Sequence, residues 1–177
     1  LPKVVSANNL SGRDAAFSTE LTYGTLRSEG VLDAVIAECA SRGLEAIAPD
    51  VLTALRMGTY QVLYTRVEAH AAVDTTVRLV EAAGHEKAKG FANGIMRTIT
   101  RTPAQGWLDK LAPKEEVAAV AFRHAHPEWI ARSFGRALGL LDAAGESKLN
   151  AEQTAELERA LEADSERPLV HLVARPG

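Results

Sequence analysis

The feature that most restricts the fold of this chain is a train of apolar residues at three- and four-residue spacing, broken at short intervals by glycine, proline or a capping residue. That spacing lines apolar side chains along one face of successive helices. Ser11-Gly12-Arg13-Asp14 has the Ser-x-x-acid form of a helix start, and a helix is expected over 13–27, with Phe17, Leu21 and Gly24 at helical spacing. Glu29-Gly30 interrupts it. A second helix over 31–41 aligns Leu32, Val35, Ile36 and Cys39, and Gly43 is its expected stop. Pro49 suits the first turn of a third helix over 50–64, whose Leu52, Leu55, Met57, Val62 and Leu63 spread too widely for a surface stripe, so this helix should be central. A fourth, over 71–83, turns Val73, Val77 and Val80 inward and ends at Gly84. A fifth runs over 86–101 before Thr102-Pro103.

Pro103-Ala104-Gln105-Gly106-Trp107 reads as a connector, followed by a helix over 113–124 with Val117, Val120, Ala121 and Phe122. His126-Pro127 starts another helix, with Trp129, Ile130 and Phe134. Residues 145–148 form a loop, and 150–163 is helical again with Leu157 and Leu161. Residues 168–174, Pro-Leu-Val-His-Leu-Val-Ala, alternate with period two and are the one strand expected. A single strand has no partner, so it is assigned to an α/β domain beyond this sequence. The expected fold class is therefore all-α: a helical bundle over 1–112, a helical adaptor over 113–167, and a terminal strand over 168–177. The start at Leu1 and the end at Arg175-Pro176-Gly177 are read as edges of a longer polypeptide.

Composition agrees with helices, at 46% hydrophobic and only 5% aromatic residues. The single cysteine, Cys39, excludes an internal disulfide and a multi-cysteine zinc site, and suits a reducing cytoplasm, the expected location. No stretch is long and apolar enough for a membrane span, and Leu1-Pro2-Lys3-Val4-Val5 has no basic secretory start, so no membrane partner is expected. The net charge of -3 means that any binding of nucleic acid has to come from a local basic patch.

No complete active site is legible. The glycines stand at helix ends and turns and form no phosphate-binding loop. Cys39 follows Ala34, Val35, Ile36 and Ala37 on an apolar helix, the setting of an inert thiol. His124-Ala125-His126 has no third metal ligand in view, His70 and His85 flank helices, and no Ser, His and Asp spacing suggests a triad. The informative pattern lies on the fifth helix. Lys89, Asn93, Arg97 and Arg101 recur every four residues, a row that drifts about 40° per step and can follow phosphates. Phe91, Ile95 and Ile99 oppose it toward the core, and an ordinary amphipathic helix with a solvated basic face would look the same. Arg13, Glu20 and Arg27, seven residues apart, are read first as a structural ion network.

The segment Arg13-Asp14-Ala15-Ala16-Phe17-Ser18-Thr19-Glu20-Leu21-Thr22-Tyr23-Gly24-Thr25-Leu26-Arg27 resembles the NusB-like domain of the RsmB, Fmu or Sun family of bacterial ribosomal RNA cytosine-5 methyltransferases. Leu55-Arg56-Met57-Gly58-Thr59-Tyr60-Gln61-Val62-Leu63-Tyr64, His70-Ala71-Ala72-Val73-Asp74 and Gly90-Phe91-Ala92-Asn93-Gly94-Ile95-Met96-Arg97 resemble three further family blocks in the same order. His126-Pro127-Glu128-Trp129-Ile130 and Arg167-Pro168-Leu169-Val170 resemble that family's link to its catalytic domain. The free antitermination factor NusB shares the bundle but should stop soon after the helix ending near Arg101.

The resemblance implies a non-catalytic RNA-positioning domain. Ribosomal RNA is the expected partner, and Lys89, Asn93, Arg97, Arg101, Arg13 and Arg27 are the candidate contacts. It implies S-adenosylmethionine and a cysteine nucleophile in a separate Rossmann-like domain, with no cofactor or catalytic residue in these 177 residues. The family bundle begins with a helix upstream of the first matching block. None is legible before Leu1, so apolar surface is expected to lie open to a protein partner or to self-association. A protein-interaction module or a NusB-type antitermination factor is the alternative reading.

Overall fold

The computed structural model describes residues 1–144 and 148–166, and among them it holds ten α-helices and no strand. The strand expected over 168–174 and most of the loop expected over 145–148 lie outside the described residues. The chain divides into two compact units, Leu1–Pro113 and Lys114–Gly177.

The first unit contains α1 (Pro2–Ala7), α2 (Gly12–Arg27), α3 (Glu29–Cys39), α4 (Pro49–Tyr64), α5 (Ala69–Ala82), α6 (Lys89–Ile99) and α7 (Ala104–Leu111). Helix α4 begins with its proline in the first turn, where the missing N–H costs nothing. It packs against α2, α3, α5, α6 and α7, which is why its apolar residues surround it rather than forming a stripe. Its Leu55, with Leu32, Ile36, Met96 and Ile99 of the neighbouring helices, is fully buried. Each is worth roughly 1.5–3 kcal/mol relative to exposure. Two buried hydroxyls on facing helices are satisfied locally: Thr59 donates to the Leu55 carbonyl at 2.8 Å and Thr76 to that of Ala72 at 2.7 Å.

Two glycines set how closely helices approach α4. A Cβ on Gly24 of α2 would lie inside the Tyr60 ring, and one on Gly58 of α4 would meet the Thr76 hydroxyl and the Met96 thioether. The α2–α4 and α4–α5 contacts thus depend on the absence of a single carbon.

Four sequence expectations change. A short helix, α1, precedes Ser11, where none is expected from the sequence. Ser11 does stand at the N-cap of α2, but its side chain makes no capping hydrogen bond. Helix α3 ends at Cys39, and Gly43, with φ near −59° before a 3-10 turn over Leu44–Ala46, is not its stop. The supposed connector at 103–107 is the first turn of α7. Trp107 is buried there and donates its indole N–H to the Ile99 carbonyl at 3.0 Å, tying α7 to the end of α6.

The second unit holds α8 (Glu116–Arg123), α9 (Glu128–Ala137) and α10 (Ala151–Ser165). Val117, Val120, Leu157 and Leu161 form its core with Ala131, Leu140 and Leu141. Asn150 and Gln153 form a reciprocal capping box at the start of α10, and Glu115 accepts the Ala118 N–H at 2.7 Å to open α8.

These contacts predict opposite signs for two glycine-to-alanine changes. Gly30→Ala, in α3 with open space beside it, should stabilise the chain by about 0.5–1 kcal/mol through helix propensity. Gly24→Ala should instead cost about 1–3 kcal/mol through collision with Tyr60. Urea unfolding of both variants measures the difference.

Candidate nucleic-acid interface

Helix α6 is amphipathic because Ala92, Ile95, Met96 and Ile99 turn into the core while Lys89, Asn93 and Arg97 turn outward. Phe91, expected on the inner row with Ile95 and Ile99, is 39% exposed. It lines a separate, largely apolar hollow with Ile47, Val51 and Ala88. The α-helix stops at Ile99, two residues short of the expected end. The chain then tightens into i to i+3 bonds, with the Arg101 N–H on the Thr98 carbonyl at 3.2 Å and the Thr102 N–H on that of Ile99 at 3.3 Å. Arg101 therefore continues the row from a turn rather than from the helix itself.

The four members of the row differ in how committed they are. Lys89 forms an ion pair with Glu81 of α5 at 2.8 Å, and that carboxylate holds its ammonium above the ordinary lysine range. Arg97 and Arg101 are exposed, and among the described residues no carboxylate lies within 4 Å of either guanidinium. Asn93 is half-buried and its amide has no side-chain partner among the described residues. Asn93 and Arg97 line one wall of a cleft of about 420 Å³ between α5 and α6, opposite His70, Val73, Asp74 and Val77. The i, i+4 spacing of His70 and Asp74 puts both on one face of α5. Their meeting with Asn93 and Arg97 needs the packing of two helices, and sequence reasoning missed it for that reason.

Arg13 and Arg27 lie elsewhere. They sit near opposite ends of α2, about 21 Å apart at the helical rise, on a helix that packs chiefly on α3 and α4. The ion network expected with Glu20 does not form, because neither arginine comes within 4 Å of its carboxylate among the described ion pairs. Glu20 instead accepts the Tyr60 hydroxyl at 2.5 Å, tying α2 to α4. Burial first, and this bond second, push the Tyr60 hydroxyl well above the usual tyrosine range.

A stronger ion cluster has no signal in the sequence spacing. Arg56 of α4 grips Asp33 with two bonds of 2.6 Å and reaches Glu29 at 2.7 Å, so this cation is consumed inside the bundle.

Cys39 and His126 sit in structural settings. Cys39 is half-buried against the core, and burial raises its thiol above the ordinary range, the opposite of an activated nucleophile. His126 is held by the His124 carbonyl at 2.7 Å and Asp164 at 3.2 Å, and no cluster of three metal-ligating side chains occurs among the described residues. No helix among them is long and apolar enough to cross a membrane.

The NusB family model matches residues 2–101, the stretch that runs from α1 through α6. The chain belongs to the NusB family. Its relatives extend past that match. A Mycobacterium tuberculosis protein named "Putative methyltransferase Rv1407" is 48% identical over 180 aligned positions, covering all of this chain and 37% of the relative. The "Probable ribosomal RNA small subunit methyltransferase B" of Bacillus subtilis is 30% identical over 140 positions, 78% of this chain and 30% of the relative. The "Ribosomal RNA small subunit methyltransferase B" of Pseudomonas putida is 33% identical over 121, 68% of this chain and 26% of the relative. The chain thus spans about a third of the length of these relatives. Within the NusB-family bundle, Gly24, Tyr60, Arg56 and Gly58, all in segments quoted for the resemblance, act in the structure as packing and pairing residues.

Structural and surface cations should separate cleanly on mutation. Arg56→Ala leaves Asp33 partly buried beside an unpaired Glu29 and should cost about 1–3 kcal/mol. Arg97→Ala should change stability by less than about 0.5 kcal/mol. Urea unfolding of the two variants tests the assignment.

Proposed function

We propose that this chain is the RNA-binding, non-catalytic part of an S-adenosylmethionine-dependent methyltransferase acting on cytosine-5 of ribosomal RNA in the cytoplasm. The observation that carries the reading is the pair of uncommitted guanidiniums, Arg97 on the outer face of a NusB-family helix and Arg101 on the turn that follows it. Cations not consumed by internal acids can release counterions from RNA, and two on successive helical turns can meet successive phosphates. The names of the relatives supply the substrate class.

In this reading the domains are the bundle over 1–112, an adaptor over 113–167 and the start of a catalytic domain from 168. The bundle raises the local concentration of target RNA at catalytic machinery held elsewhere in a longer polypeptide. S-adenosylmethionine supplies the methyl group in that machinery, and no described residue is assigned to hold it.

The candidate contacts rank by availability: Arg97 and Arg101 first, with Asn93 beside them. Lys89 follows, discounted by its bond to Glu81. Arg13 and Arg27 form a separate pair on α2. A protein-docking reading has one observation in its favour. Helix α2 leaves Phe17, Tyr23 and Leu26 exposed, at 43%, 48% and 61%, an apolar surface of the kind a protein partner or a second copy covers.

The Arg97→Ala, Arg101→Ala double variant should weaken binding to a ribosomal RNA stem-loop by about tenfold at low salt. It should also reduce the slope of log affinity against log salt by roughly 0.7–0.9 for each phosphate no longer neutralised. Lys89→Ala should have the smaller effect. Unchanged affinity and slope in the double variant, measured by fluorescence anisotropy, would overturn the assignment. Salt-insensitive binding to protein with none to RNA would favour docking.

A further inference from the structure

The cleft between α5 and α6 has more chemistry than a phosphate track requires. Its volume of about 420 Å³ falls within the range of roughly 300–1,000 Å³ typical of small-molecule sites. Arg97 supplies a cation. Asn93 supplies an amide that both donates and accepts, and that no protein side chain uses among the described residues. Asp74 supplies a carboxylate whose only described ion pair is a loose one, 3.8 Å from Arg78 with both side chains exposed. His70 supplies an aromatic ring, and Val73 and Val77 an apolar wall.

A carboxylate is a poor choice for a surface that only follows phosphates, since it repels them, but it is a good acceptor for a sugar hydroxyl. A half-buried amide can donate to a phosphate, but because it also accepts it can in addition read the edge of a base. An unstacked nucleotide presents an anion, a hydroxylated ring, a polar edge and a flat apolar face, and each has a counterpart lining this one cleft. Arg101, on the turn after Arg97, stands about 6 Å further along the row, where a neighbouring phosphate of an extended strand would lie.

We infer that the cleft lined by His70, Asp74, Asn93 and Arg97 receives one unpaired ribonucleotide: its phosphate on Arg97, its ribose 2′-hydroxyl on Asp74, and its base edge on Asn93 against Val73, Val77 and the His70 ring. The inference rests on the RNA-binding reading and deepens it. The bundle selects single-stranded RNA over DNA and over duplex, through a pocket distinct from the apolar face of α2.

The test uses the whole 177-residue chain with three fluorescein-labelled probes: a single-stranded oligoribonucleotide, its deoxyribose counterpart, and the ribonucleotide annealed to its complement. The unmodified chain should bind the single-stranded RNA at least fivefold more tightly than either other probe. Asp74→Asn should lower affinity for the RNA strand about fivefold and leave the DNA strand unchanged, closing the gap between them. Asn93→Ala should weaken both single strands and spare the duplex. Both side chains reach the surface, and circular dichroism confirms that the variants fold.

Equal binding of all three probes, weakened in parallel by Arg97→Ala, would overturn the nucleotide pocket while leaving the electrostatic RNA reading intact. A cleft built for a protein side chain would give the same flat ratio, untouched by Asp74→Asn, and would also overturn the inference. Failure to bind any probe would remove the RNA reading and the pocket together.

Discussion

The burial of α4 on nearly all sides is the constraint on which the rest of the first unit depends. A helix with five neighbours has little solvent face on which to leave polar groups, and beyond Asp50 and Thr53 near its start most of them must find partners within the fold. Its Thr59 hydroxyl therefore turns back onto its own backbone, its Tyr60 hydroxyl finds Glu20, and its Arg56 is matched to Asp33 and Glu29. The same crowding explains the two close approaches, where Gly24 admits the Tyr60 ring and Gly58 admits Thr76 and Met96. With α2, α3 and α5 held in this way, α6 is left one free face, and that face carries the basic row.

Packing also sorts the charges. The chain as a whole is acidic by three charges, and several of its 20 lysines and arginines are held by carboxylates of the chain itself. Arg56 is held by two acids, Lys89 by Glu81, Lys110 by Glu38, and Arg132 by Glu115 and Glu128. Pairs of this kind contribute modestly when exposed, but they remove the cation from service toward a ligand. What remains on α6 and the turn after it is Arg97 and Arg101, with Lys87 exposed in the 3-10 turn over Glu86–Ala88 just before the helix. A weakly acidic domain can thus present a locally basic edge, and the salt dependence of such an edge is set by the uncommitted cations rather than by the net charge.

Much of the helical architecture was legible. Apolar periodicity located α2 to α6 and α8 to α10 to within a few residues at their ends, and the spread of apolar residues on α4 marked it as central. The misses share a cause. Helix α7 is hidden because Pro-x-Gln-Gly reads as a break, and only the Trp107 indole bonded to the end of α6 explains why those residues coil into a helix. Spacing pairs Glu20 with arginines on its own helix because it sees only neighbours along the chain, whereas the true partner stands 40 residues away on α4. Period assigns Phe91 to the core, but the adjoining segment leaves a hollow where it would have been covered.

By itself, the sequence determined which residues could be helical, which faces were apolar and where basic side chains recurred, because each of these follows from the fixed turn of one helix. It also carried the family, through short segments whose glycines and polar residues are answered by contacts in the fold. Only the tertiary structure decided which cations stay available and which polar groups share a cleft. Glu81, Asp33 and Glu29 reach their partners, and His70 and Asp74 come to face Asn93 and Arg97, only when separate helices pack. Pairing and cavity formation are properties of the distance between elements, and a periodicity read along one element contains no such distance.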